Sequence, residues 1–136
     1  MYRRLFKFMG VMAVLSSLSI ANAQDVKTTI NPEKNILTMI NILTPVDGDQ
    51  EALVTQLELA LHKTLIHEPG FISGNVHRSL DSKHVVNYAQ WQDKASLEAF
   101  IIKLQAGKAP EMAKVFTMAK PDFHPYAVVS SHQHLN

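Results

Sequence analysis

The sequence predicts an α+β domain on the ferredoxin-like split βαβ plan: a four-stranded antiparallel sheet with helices on one face. Three observations carry that prediction. Four short runs are rich in β-branched and apolar residues, longer stretches between them place leucines at helical spacing, and Pro, Gly and Asp clusters separate the runs. A length of 136 residues makes one domain the default.

Residues 1–23 read as an address rather than as fold. Arg3, Arg4 and Lys7 form a basic start, an apolar stretch follows over residues 8–20, and Ala21-Asn22-Ala23 supplies the small-x-small pattern that a signal peptidase reads before Gln24. The apolar stretch, about 13 residues, falls short of the roughly 20 that a membrane-spanning helix needs. The expectation is a cleaved signal peptide and an exported product, periplasmic or secreted, the alternative being an uncleaved anchor.

Residues 24–34 are polar and read as a loose lead-in to a domain over 35–130. The first strand is expected over 36–44, closed by the turn signal Pro45-Val46-Asp47-Gly48. Leu53, Leu57, Leu61 and Leu65 then form an i, i+4 row, with Asp47 or Asp49 placed to cap the helix start and Pro69-Gly70 to stop it. A second strand over 71–79, a loop at Asp81-Ser82-Lys83 and a third strand over 84–91 make a hairpin. Asp93 can cap a second helix carrying Leu97, Phe100, Ile101 and Leu104 on one side, and Gly107 breaks it. Pro110 can open a short third helix through Met118, because a first-turn proline loses no hydrogen bond. Pro121 and Pro125 read as bracketing a turn before a last strand over 126–130, and residues 131–136 as a tail. Such a sheet leaves its second face bare, and a second copy is the simplest cover, so a homodimer is expected.

Composition narrows the function classes. Without residues 1–23 the chain carries 10 basic against 12 acidic residues, a net of −2. Nucleic acid and an anionic membrane surface both call for a basic stripe, so neither is an expected partner. Zero cysteines exclude thiol catalysis, thiolate metal sites and iron–sulfur clusters. Seven histidines are present, but His132 and His134 lie in the tail, His62 and His67 diverge around a helix, and only His77 and His84 could meet across the hairpin. No HExxH or carboxylate-flanked cluster supports them, and no metal site is expected. Met112 and Met118 read as packing for the third helix.

The third strand carries the best candidate site. Alternation turns Val85, Asn87, Ala89 and Trp91 to one face and Val86, Tyr88 and Gln90 to the other. Asn87 and Trp91 then stand roughly 13 Å apart at about 3.3 Å per residue. Small Ala89 between them leaves room for a planar molecule. A strand asparagine can instead satisfy neighbouring backbone, and a lone tryptophan can be plain core.

Val85-Val86-Asn87-Tyr88-Ala89-Gln90-Trp91, preceded by Thr44-Pro45-Val46-Asp47-Gly48, Glu68-Pro69-Gly70-Phe71-Ile72-Ser73 and His77-Arg78-Ser79-Leu80-Asp81, resembles the antibiotic biosynthesis monooxygenase domain family, with similarity over residues 37–129. The resemblance implies a dimeric α+β barrel, two protomers packed sheet to sheet, each with a pocket between its own sheet and helices. It also implies chemistry without metal, flavin or haem, in which a phenol or anthrone anion reduces O₂ directly and ends as a quinone. Asn87 and Trp91 match the pocket asparagine and tryptophan of that branch and are the candidate catalytic residues. Leu97 stands where the branch has a pocket tyrosine. Its later arginine has no match, since none follows Arg78, although Lys114 could replace the charge.

A haem-degrading branch of the same superfamily matches at Asn41. Phe100 stands where that branch has its tryptophan, and the position of its histidine ligand falls at about Pro110, so haem is not expected. Asn41, Ala89, Leu97 and Phe100 complete the candidate substrate-binding set. The expected function is an exported, cofactor-independent monooxygenase acting on an electron-rich aromatic with O₂. The alternative is a non-catalytic dimeric module that binds small molecules or serves a stress response.

Overall fold

The first helix is built by the leucine row. Leu53, Leu57 and Leu61 are buried on one side of α1 (Gln50–Lys63), and Asp49 starts it by accepting a hydrogen bond from Ala52 N–H at 2.9 Å. Such a cap contributes about 1 kcal/mol. The structure, a computed structural model, describes residues 27–135. The expected signal segment lies outside the described residues.

Around α1 the order is β1 (Leu37–Pro45), α1, a single 3-10 turn (Leu65–His67), β2 (Phe71–Arg78), β3 (Val85–Trp91), α2 (Lys94–Gln105), α3 (Pro110–Met118) and β4 (Ala119–Ala127). The strands form one fully antiparallel sheet in the order β2-β3-β1-β4. This is the ferredoxin-like α+β plan. The core lies on one face of the sheet, where Met39, Leu43, Val85, Ala89 and Trp91 meet α1 and, from the other helices, Phe100, Met112 and Val115.

Asp93 caps α2 through Ser96 N–H at 2.8 Å, Gly107 follows with φ +71°, and Pro110 opens α3, as their residue types predict. Three expectations are corrected. First, α1 stops at Lys63 instead of running to Pro69; the chain tightens into the 3-10 turn, where His67 and Glu68 N–H close onto Thr64 and Leu65 carbonyls while Leu65 stays in the core. Second, Pro121 and Pro125 bracket no turn. They lie within β4, which begins at Ala119 and not at Tyr126. β4 is an edge strand, and the even spacing turns both ring nitrogens to the open edge, where no donor is required.

Third, part of the lead-in is anchored. Thr28 exchanges hydrogen bonds with the Asn75 side chain at 2.8 and 3.0 Å, and Thr29 O accepts from Gln90 Nε2 at 3.0 Å. These contacts cover the β2–β3 half of the sheet's outer face, which no helix of the described residues covers.

Candidate functional site

Between the sheet and the helices lies a cavity of about 440 Å³. That is within the usual range for small-molecule sites. The sheet forms its floor through Met39, Asn41, Asn87, Ala89 and Trp91, α2 forms one wall, Met112 and Phe116 of α3 another, and Pro121 and Phe123 of β4 its edge. Exposed Ile101, Gln105, Pro121 and Phe123 mark the mouth.

All six sequence-predicted residues are brought together on this one surface: Asn41, Asn87, Ala89, Trp91, Leu97 and Phe100. Register explains the first two. β1 and β3 pair so that Asn41 stands directly opposite Asn87, which holds the two backbones about 5 Å apart. Asn87 is 3% exposed, and Oδ1 of both asparagines is buried without a hydrogen-bond partner among the described residues. Each orphan oxygen costs on the order of 1–3 kcal/mol. A carboxamide also carries an NH₂, so the pair can meet a ligand as donor, acceptor or both.

Trp91 is wedged between two rings. Its centroid lies 5.3 Å from Phe71 in an edge-on arrangement and 5.6 Å from Phe100, nearly parallel to it. Trp91 is thus both core and cavity wall, and a planar ligand would meet an aromatic surface already held in place. Ala89 keeps the floor between Asn87 and Trp91 low.

Among the described residues no titratable side chain lines the cavity. Tyr88 lies on the outer face opposite Ile40, and Lys114 is exposed on α3. His84 Nδ1 pairs with Thr44 Oγ1 at 3.1 Å, while His77 is exposed on β2. Among the described residues no group of three or more His, Cys, Asp or Glu is placed to hold a metal ion. Among the described residues the wall therefore offers no histidine, tyrosine or cysteine for haem and no carboxylate for a metal. The lowered carboxylates lie elsewhere. Asp81 is held below 3.8 by the Ser79 hydroxyl and Lys83 N–H, and Asp93 by Ser96 N–H and hydroxyl.

Sequence reasoning missed Met39, Leu65, Ile101, Leu104, Gln105, Met112, Phe116, Pro121 and Phe123 as cavity residues. Met112 packs α3, as expected, and lines the cavity as well. Gln105 was open to detection, since it continues the Leu97, Ile101 row of α2 by one more turn. Phe116 and Phe123, 6.5 Å apart, come together only through the placement of β4.

Comparisons with known proteins bear on the family and the fold. Residues 36–101 match the family described as antibiotic biosynthesis monooxygenase. Over 71 residues the chain is 35% identical to the tetracenomycin-F1 monooxygenase of Streptomyces glaucescens, a match covering 52% of this chain and 63% of that relative, somewhat less than two thirds of its length. The fold is similar to that of SnoaB, a cofactor-independent oxygenase from Streptomyces nogalater, with a TM-score of 0.59, 19% identity and coverage of 74% of this chain and 97% of SnoaB. A Pseudomonas aeruginosa structure matches with a TM-score of 0.57 and 20% identity over 71% of this chain and 96% of its own. At those identities the structural likeness speaks for the fold.

Proposed function

We propose, from the match of residues 36–101 to the antibiotic biosynthesis monooxygenase family and the 35% identity to the tetracenomycin-F1 monooxygenase, that the chain is a cofactor-independent monooxygenase of that family, oxidising a planar, electron-rich phenol, anthrone or quinol with O₂. The observation that carries the reading is the pair of facing, unsatisfied carboxamides, Asn41 and Asn87, in an otherwise apolar and aromatic cavity.

The chemistry needs no outside reductant. For an anthrone, the ring CH₂ becomes C=O: one atom of O₂ enters the product, the other leaves as water with both hydrogens, and the substrate supplies all four electrons. The substrate must first lose a proton. With no base on the wall, the proton leaves to solvent through the mouth; Asn87 Oδ1 can accept from the neutral hydroxyl, and Nδ2–H of the same amide can donate to the resulting oxyanion and favour the ionised form. Trp91 forms the wall against which the ring system lies, and its indole N–H is a second donor. Ala89, Leu97 and Phe100 shape the slot, and exclusion of water leaves the anion poorly screened and electron-rich.

Aerobic and anaerobic incubation with a model anthrone tests this. Quinone formation with matching O₂ consumption, lost in Asn87→Ala and Trp91→Phe, is expected; O₂ uptake unchanged in both variants would remove the assignment. A second reading, a binding module without turnover, is favoured by Leu97 at the tyrosine position and by the absence of any titratable group on the wall. Saturable quenching of Trp91 fluorescence by aromatic ligands with no O₂ consumption would select it.

Self-association through the outer face is supported by half-buried or exposed Ile40, Ile42, Val86 and Tyr126 there, and light scattering should return twice the protomer mass. Export is supported by Arg3, Arg4, Lys7 and Ala21-Asn22-Ala23, and a secreted or periplasmic product should begin at Gln24.

A further inference from the structure

The helix that roofs the cavity, α2, is less deeply buried than α1. Seven residues of α1 are buried, whereas Phe100 is the one buried residue of α2. The inward side of α2 lies over the hollow instead of core, with Leu97, Ile101, Leu104 and Gln105 facing the cavity. Phe100 stacks on Trp91, and Leu97 and Leu104 pack against the edge of the core; beyond that packing, two point attachments hold the helix.

Both attachments land on the short loop Glu68-Pro69-Gly70. At the start of α2, Ser96 sits so close to Gly70 that a Cβ there would lie 2.1 Å from Ser96 Oγ, and Gln92 N–H donates to Gly70 O at 2.7 Å. Near its end, Lys103 Nζ meets Glu68 Oε1 at 2.5 Å. The Glu68 side chain is 7% exposed and that of Lys103 43%, so the carboxylate is largely out of water and the ammonium reaches in from the surface. The first attachment is steric and backbone-bonded; the second is a single ion pair. Beyond it Gly107, with φ +71°, ends the helix, its N–H donating to Leu104 O and Lys108 N–H to Lys103 O, each at 3.0 Å.

We propose that Glu68 and Lys103 are positioning residues whose ion pair latches the C-terminal half of α2 over the cavity and sets the rate at which a planar aromatic ligand passes the mouth. The proposal rests on the reading that the cavity binds such a ligand. Neither residue lines the cavity; both act through Leu104 and Gln105, the immediate neighbours of Lys103 on the roof. Opening the latch lowers the barrier in both directions, so association and dissociation quicken together while affinity changes little.

The single tryptophan, Trp91, lies in the cavity wall and reports occupancy directly. Stopped-flow quenching by a dihydroxyanthraquinone, an already oxidised probe that does not turn over, gives both rate constants. Glu68→Gln and Lys103→Met should each raise both by about tenfold and move the dissociation constant by less than about threefold. Lys103→Arg, which keeps the charge, should retain the parent rates. The double variant Glu68→Gln/Lys103→Met, which leaves no unpaired buried charge, should behave like the singles and guards against misfolding of either. A purely structural pair would lower the melting temperature and leave both rate constants unmoved, and that result overturns the latch. Absence of quenching in the parent protein would instead defeat the binding reading and the latch with it.

Discussion

The two faces of the sheet treat the same kind of side chain in opposite ways. On the outer face, Gln90 is buried yet satisfied, accepting from Ser73 Oγ at 3.0 Å and donating to Thr29 O at 3.0 Å. Asn75 beside it donates to Thr28 Oγ1 at 2.8 Å and Tyr88 O at 3.3 Å. On the inner face, Asn41 and Asn87 have no partner for Oδ1. Folding supplies partners for one set and leaves the other open, which separates amides bonded within the fold from amides free to meet a ligand. Thr38 is the outer face's exception, with a buried and unpartnered Oγ1.

The largest expected effect tests the inner face. Asn87→Ala should lower turnover by about 10²–10³-fold, the usual loss of one oxyanion donor, in an oxygen-uptake assay. The same variant should melt no lower than the parent, because it removes an orphan rather than a hydrogen bond. A clear drop in melting temperature would show that Asn87 is structural and dissolve the contrast. Gln90→Leu reverses the pattern. It strands Thr29 O and the Ser73 hydroxyl and should destabilise by about 1–3 kcal/mol in denaturant unfolding, with the folded fraction binding ligand normally.

A smaller effect sharpens the geometry beneath the cavity. Gly74 lies on β2 opposite Ala89, and a Cβ there would come within 2.6 Å of Leu61 Cδ2, 3.1 Å of Phe71 Cζ and 3.7 Å of Asn87 Oδ1. Gly74→Ala should cost about 1 kcal/mol, since the Leu61 tip can turn away. Because Phe71 supports Trp91, the substitution should also alter the Trp91 emission and weaken probe binding, whereas a change confined to stability would separate this strand from the site.

Most of the fold was legible because its signals are local. Asp49, Asp93, Gly107 and Pro110 each act within a few residues, and their residue types state their roles. β4 was misread because a proline pair signals a turn in isolation, and only the strand's place at the sheet edge makes the rings harmless. The site divided in the same way. Alternation alone put Asn87, Ala89 and Trp91 on one face, whereas Asn41, Leu97 and Phe100 came from the family resemblance. That Asn87 lacks a partner could not be read from any spacing, since it depends on the register of β1 against β3. The anchoring of Thr28 and Thr29 was hidden for the same reason: a polar lead-in gains order only once Asn75 and Gln90 are in place to receive it.

The smallest expected effect concerns charge, and it extends the contrast between satisfied and open polar groups. Asp81 and Asp93 are satisfied carboxylates in loops, both held below 3.8, whereas the cavity wall carries nothing that titrates. A folded-state pKa lower than the unfolded one means that the unfolded chain binds protons first as the solution turns acid. The stability these two groups contribute is therefore complete above the unfolded value and is lost as pH falls through the folded one. Melting temperature should accordingly decline below about pH 4. Asp93→Asn keeps an acceptor for Ser96 N–H but cannot ionise, so its decline should be shallower. Binding of a non-ionising aromatic probe should meanwhile stay flat from about pH 5 to about pH 9. A titration step inside that range would place an ionisable group against the ligand and give the inner face the base that its wall lacks.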